Sequence, residues 1–276
     1  MKPSLWAALL SVVAPATVVA QGIAIAPTSV FVDARARTGL LLLVNPNDEP
    51  AEVEISTFFG YPVTDTAGQV QLHTVERSDS TPVSAAGWIR VFPRRATLAP
   101  HTQQTVRLLV SPPPEIPDGE YWSRLAITAR GGKLPVTAVT DSGAVQVGLS
   151  LEVRTIIPLL YRKGKPVTGI ALSKLRAEVR GDSLIVRSRL ERQGNAAALA
   201  TVRGEVVDST GRVRATFAVP TSIYYVMEPR YTAPIDSLKP GRYRLRLAVS
   251  SGRQDIPPES ILPFRAVRDS VTVQIP

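Results

Sequence analysis

Two histidines, His73 and His101, are where catalysis in this 276-residue chain would have to begin. Nucleophilic catalysis joins a Ser or Cys to a His oriented by a carboxylate, and a metal centre gathers three or four His, Cys, Asp or Glu ligands. Neither histidine has such neighbours at motif spacing, and both sit singly in loop-like contexts. The chain carries no GxSxG elbow, no glycine-rich phosphate loop and no Asp-rich calcium loop. Its carboxylate pairs, Asp48-Glu49 and Glu52/Glu54, fall on a turn and on the outer face of a strand, where solvation is the ordinary role. Cysteine is absent, which removes thiolate nucleophiles, zinc–thiolate sites and disulfides together. No catalytic residue, metal or cofactor is expected, and the chain reads as a non-enzyme.

The spacing that does carry chemistry is apolar. In VQVGLSLEV, residues 145–153, the side chains of Val145, Val147, Leu149, Leu151 and Val153 alternate with polar or very small ones. A period of two is that of a β-strand with one apolar face. That face either packs on the protein's own core or belongs to an edge strand that offers it to another chain by β-augmentation.

The elements that must position this row are strands joined by turns. Twenty-four prolines and 18 glycines punctuate the chain, with 44% hydrophobic residues and no long stripe at helical spacing. Alternation predicts strands over residues 22–26, 39–45, 51–59, 88–92, 105–111, 121–129 and 143–161, and then over 183–190, 201–208, 213–219, 242–250 and 270–275. The one helical scrap is expected near Asn195 to Leu199. The fold class is therefore all-β, with two immunoglobulin-like β-sandwiches in tandem over residues 21–161 and 169–276, joined by a polar linker at 162–168. Gly119-Glu120-Tyr121 and Gly241-Arg242-Tyr243 open matching segments after proline-bearing turns. Both tyrosines are expected to form tyrosine corners, in which the hydroxyl bonds back to nearby backbone.

Residues 1–20 have the form of a signal peptide, with Lys2, an apolar run and Val18-Val19-Ala20 before the cut, so the mature protein is expected in the periplasm. Its charge is uneven: residues 21–150 carry 10 basic and 12 acidic side chains, and residues 151–276 carry 21 and 11. Arg180, Arg187, Arg189 and Arg192, with Arg242, Arg244 and Arg246, recur at strand spacing and predict a basic sheet face. That face is either simply solvated or a contact for anionic lipid headgroups, acidic glycans or an acidic protein. Export and the lack of a groove-reading motif speak against nucleic acid.

The first half resembles the N-terminal domain of periplasmic pilus-assembly chaperones of the PapD-like type. The resemblance rests on residues 25–32 (IAPTSVFV), 37–45 (RTGLLLLVN), Val91-Phe92-Pro93, Leu98-Ala99-Pro100, 104–108 (QTVRL) and 118–121 (DGEY), and covers about half the chain. It implies that residues 145–157 form the donor edge strand completing an exported pilin-like or fibre subunit, with an outer-membrane usher as a further partner. It also implies an Arg on the first strand and a Lys near the end of the donor strand that anchor the subunit's terminal carboxylate. This chain has Ser29 and Pro158 at those two positions, and Arg35, Arg37, Arg162 and Lys163 are the candidate substitutes. A structural or adhesive envelope protein, whose basic second domain binds anionic surface polymers, is the alternative. An exported hydrolase, which would need a cleft of convergent polar groups, is a third.

Overall fold

The computed structural model describes residues 22–76, 81–140 and 143–276, and the side chains of all of these except residues 132–150. The first unit contains β1 (Ala24–Ala26), β2 (Val30–Asp33), β3 (Thr38–Val44), β4 (Ala51–Thr64), β5 (Val70–Val75), β6 (Ile89–Phe92), β7 (Arg95–Leu98), β8 (Gln103–Val110), β9 (Gly119–Thr140) and β10 (Gly143–Lys163). Two sheets face each other, one in the order β1-β3-β8-β6 and the other β2-β10-β9-β4-β5, with β7 on β4. The first strand changes sheet at residues 27–29, so β1 pairs with β3 while β2 pairs with β10. Alternation decides the core: Leu41 and Leu43 of β3, Val106 and Leu108 of β8 and Ile157 and Leu159 of β10 are buried, while Leu40 is left 56% exposed.

The second unit contains β11 (Thr168–Arg180), β12 (Ser183–Gly194), β13 (Ala198–Val207), β14 (Val213–Ile223), β15 (Val226–Met227), β16 (Arg230–Pro234), β17 (Gly241–Ser251) and β18 (Val267–Ile275). One sheet runs β11-β12-β15 with β16 also on β12, and the other runs β14-β13-β17-β18. Val186, Leu190, Val202, Leu245 and Leu247 are among the residues of its core. Among the described residues no helix is long and apolar enough to cross a membrane.

The structure corrects several sequence expectations. Residues 195–199 are not helical: Asn195 donates Nδ2 to the Asp118 carbonyl and accepts the Val167 N–H on Oδ1, and β13 begins at Ala198. Five residues are too few to repay helix nucleation, and Asn prefers such local bonds. Strand β11 escapes the alternation pattern because its ladder shifts register between Ser173 and Arg176, where Lys174 has φ of 53°. His73 lies within β5, its ring edge-on to Tyr61, and not in a loop. His101 sits in a turn with Nε2 2.8 Å from Asp48 Oδ1.

Nor do the arginines form one basic face. Arg187 donates to the carbonyls of Thr66 and Ala67, Arg189 pairs with Glu228 and Glu191, and Arg192 donates Nε to the Tyr224 carbonyl. Arg180 pairs with Glu178. Arg242, Arg244 and Arg246 lie on the other sheet of the same unit.

Candidate functional site

Strand β10 is bonded along its whole length to β9 on one side, but on the other it meets β2 only from Leu159 to Arg162. Its outer edge from Gly143 to Pro158 carries no strand among the described residues. Strand β9 loses its own second neighbour beyond Gly131, where β4 begins. The backbone beyond that point is a two-stranded arm with two open edges.

The side chains of Val145, Val147 and Leu149 lie outside the described residues. Of the rest of the row, Leu151 is 37% exposed and Val153 is half-buried, whereas Ile157, Leu159 and Tyr161, on the same face, enter the first unit's core. The opposite face of β10 turns towards the second unit. Ile156, Pro158 and Leu160 line a cleft of about 770 Å³ between the two units, and Ser29 lines it as well. Four of the exposed large apolar side chains, Val70, Leu72, Ile156 and Val219, belong to that same cleft.

None of Arg35, Arg37, Arg162 and Lys163 lines it. Arg37 donates Nε to the Ala34 carbonyl, and the Arg35 N–H caps Asp33. Lys163 donates to the Ile116 carbonyl. Arg162 is held by Glu120, at 2.7 Å, and by the Ser260 carbonyl.

Three cations that the sequence pattern does not single out line the cleft: Arg124, Arg253 and, exposed at its mouth, Arg230. Arg124 of β9 is 7% exposed and stands directly opposite Pro158 in the ladder. Directly paired residues bring their Cβ atoms to about 5 Å. Its Nε donates to the Gly60 carbonyl at 2.9 Å, and its guanidinium lies 4.9 Å from the centre of the Tyr224 ring. Among the described residues no carboxylate pairs with it. A guanidinium removed from water without a counter-charge is costly, so a cleft that keeps one is suited to an anion. Burial pushes the Tyr224 hydroxyl up, which keeps it neutral beside this cation. Arg253, also in the cleft, is already neutralised by Asp255.

The two units are fixed around the cleft. Phe59, Trp122, Leu160, Ala197 and Tyr224 form a joint apolar cluster. Glu120, 1% exposed, accepts the Trp122 indole N–H, the Ala197 backbone N–H and the Arg162 Nε. On the far side the β4–β5 hairpin reaches across: the Gly68 carbonyl accepts the Arg230 N–H, and Thr64 Oγ1 accepts the Glu228 N–H. Both predicted corner tyrosines bond back four residues, Tyr121 to the Pro117 carbonyl at 2.8 Å and Tyr243 to the Lys239 carbonyl at 3.0 Å. Among the described residues no group of three His, Cys, Asp or Glu could hold a metal.

No protein-family model matches the chain, and no curated protein matches it. Several solved structures resemble it in general form. One is a chain of the CsuC–CsuE chaperone–tip adhesion subunit pre-assembly complex from the archaic chaperone-usher Csu pili of Acinetobacter baumannii, at 14% identity and a TM-score of 0.43, covering 90% of this chain and 97% of that one. The class 5 fimbriae chaperone CfaA shares 14% identity at a TM-score of 0.46, over 90% of this chain and 98% of that one. The Pseudomonas aeruginosa CupB2 chaperone shares 14% at 0.40, over 91% and 100%. Likeness at these values carries no inference about activity.

Proposed function

We propose that the protein is a non-enzymatic, periplasmic chaperone-like factor that captures an exported, β-rich fibre subunit on the open edge of β10, over residues 145–157, and assists its assembly. The observation that carries the proposal is the edge from Gly143 to Pro158, unpaired among the described residues, on a strand whose sequence alternates apolar residues from Val145 to Val153. Such an edge is a template for a guest strand, whose backbone bonds to β10 while alternate side chains supply the contact area. Fully burying five exposed apolar side chains, as many as the row from Val145 to Val153 holds, contributes on the order of 10 kcal/mol before ordering costs, at about 1.5 to 3 each, and Leu151 and Val153, already partly covered, contribute less. A charge-assisted anchor adds roughly 2 to 5 kcal/mol. The loss of cations at Ser29 and Pro158 thus leaves the larger contribution in place. A guest strand running along β10 towards Pro158 ends in the cleft, where Arg124, directly opposite Pro158, is the buried cation offered to a terminal carboxylate, with the exposed Arg230 on the same lining. An outer-membrane usher would then receive the loaded complex.

The test is a pull-down from the native periplasm with tagged mature protein, wild type against Leu149→Arg/Leu151→Arg, after circular dichroism and melting show that the variant folds. Loss of a small exported β-protein from the folded variant supports strand donation. Retention of every partner overturns it. Amide hydrogen exchange of the wild type, with and without the captured protein, tests the same point without a variant: residues 145–157 must gain protection.

A further inference from the structure

The arginines of the second unit are not equivalent. Arg187, Arg189 and Arg192 are consumed by backbone carbonyls and carboxylates, as described above. Arg203 of β13, Arg242, Arg244 and Arg246 of β17 and Arg268 of β18 have no ion pair or hydrogen bond among the described residues, and all five are exposed. They share one sheet face, because Leu245, Leu247 and Val249 alternate with them into the core. The register places Arg203 and Arg268 on either side of Ala248, and Arg246 between Glu205 and Ser270. Glu205 and Asp269, at the same place, take none of these arginines as an ion-pair partner.

The result is a shallow trough floored by Ala248 and Ser250 and walled by Arg203, Arg244, Arg246 and Arg268. Strands stand about 4.8 Å apart, so the backbones of Arg203 and Arg268 are about 10 Å apart across a residue with no side chain beyond Cβ. Two long guanidinium arms reach one oxyanion over that floor. Along β17, Arg242, Arg244 and Arg246 follow one another about every 6.7 Å, a row of cations that suits a linear chain of repeating anions. Among the described residues no exposed large apolar side chain lies on β13, β17 or β18, so these strands have nothing to insert into a bilayer.

We propose that this face, centred on Arg203, Arg246 and Arg268, is a binding surface for an acidic polysaccharide. It is independent of the β10 edge, on a different unit and sheet. The probe is a fluorescein-labelled heparin oligosaccharide titrated into the mature protein at several salt concentrations. The wild type is expected to bind, with affinity falling as salt rises. Arg203→Gln/Arg246→Gln/Arg268→Gln is expected to lose about tenfold or more in affinity. Arg176→Gln/Arg180→Gln/Arg265→Gln removes the same charge elsewhere and is expected to change it less than about threefold. Equal losses in both variants mean that only net charge matters and overturn the proposal. So does binding to anionic phosphatidylglycerol vesicles without binding to the oligosaccharide. Phenylglyoxal labelling of the wild type, read by mass spectrometry, needs no variant: the oligosaccharide must protect Arg203, Arg246 and Arg268, and absence of protection overturns the assignment.

Discussion

Arg124 faces Pro158 across the β9–β10 ladder, one strand inward from the position where the resemblance to PapD-like chaperones places an anchoring lysine. Its carbonyl and ring contacts hold the guanidinium in the cleft without neutralising it. For a peptide copying the captured subunit's C-terminus, Arg124→Gln should weaken binding by roughly 2 kcal/mol or more, measured by calorimetry. The C-terminally amidated peptide should bind wild type and variant alike. A variant that binds the free-carboxylate peptide as tightly as wild type would sink the assignment of Arg124 as the anchor.

Glu120 is a different kind of buried charge, fully committed to three donors, one of them the Arg162 Nε. Glu120→Ala strands all three and leaves Arg162 without its counter-ion. The expected cost is about 3 to 5 kcal/mol in urea unfolding, with Glu120→Gln, which still accepts, costing less. Since Glu120 and Arg162 belong to the first unit and Ala197 to the second, the midpoints of both units should fall together.

The corner tyrosines offer a graded test. Removing either hydroxyl deletes one bond to backbone, worth about 1 kcal/mol. Tyr121→Phe should cost more than Tyr243→Phe, because Tyr121 is 6% exposed and packs against Trp88 and Tyr161, whereas Tyr243 is only half-buried and its hydroxyl bonds at the surface. Thermal melts of the two single variants decide the order.

Alkaline pH should weaken the second unit. Tyr231 is 4% exposed and stacks on Phe217, and burial pushes its hydroxyl up to about 12. The unfolded chain releases that proton near pH 10. The contribution is therefore complete below pH 10, falls as pH rises from about 10 to about 12, and is gone above; a gap of about 2 between the folded and unfolded values corresponds to about 3 kcal/mol. Tyr231→Phe should make the fall of unfolding free energy above pH 10 shallower, and an unchanged slope would refute the attribution.

What the sequence discloses and what it hides differ in kind. The alternation in 145–153 places a strand, and that in 242–246 a strand and its faces, because a period of two needs no partner to be seen. Arg124 is hidden, because a charged residue between Ser123 and Leu125 reads as an outer-face residue. Its burial arises only when the second unit covers β9, a tertiary fact. Arg203 and Arg268 are hidden for a related reason: they join Arg246 through inter-strand register, which no single strand records. The meeting of Ser29 and Pro158 in one cleft is foreshadowed only by the resemblance. Strand β11 is invisible because its bulge breaks the period on which detection depends.

The hairpin of β4 and β5 gives the cleft a fixed gauge. One wall is made by Pro62, Val70 and Leu72 of that hairpin, and its tip is fastened to Arg230 and Glu228, while the connection through Gly164 ties the units at the other end. A jaw hinged at one end opens for a thick guest, but a jaw pinned at both ends does not. For the guest proposed above, that fixed gauge favours an extended strand beside β10 over a folded helix, about 10 Å across with its side chains.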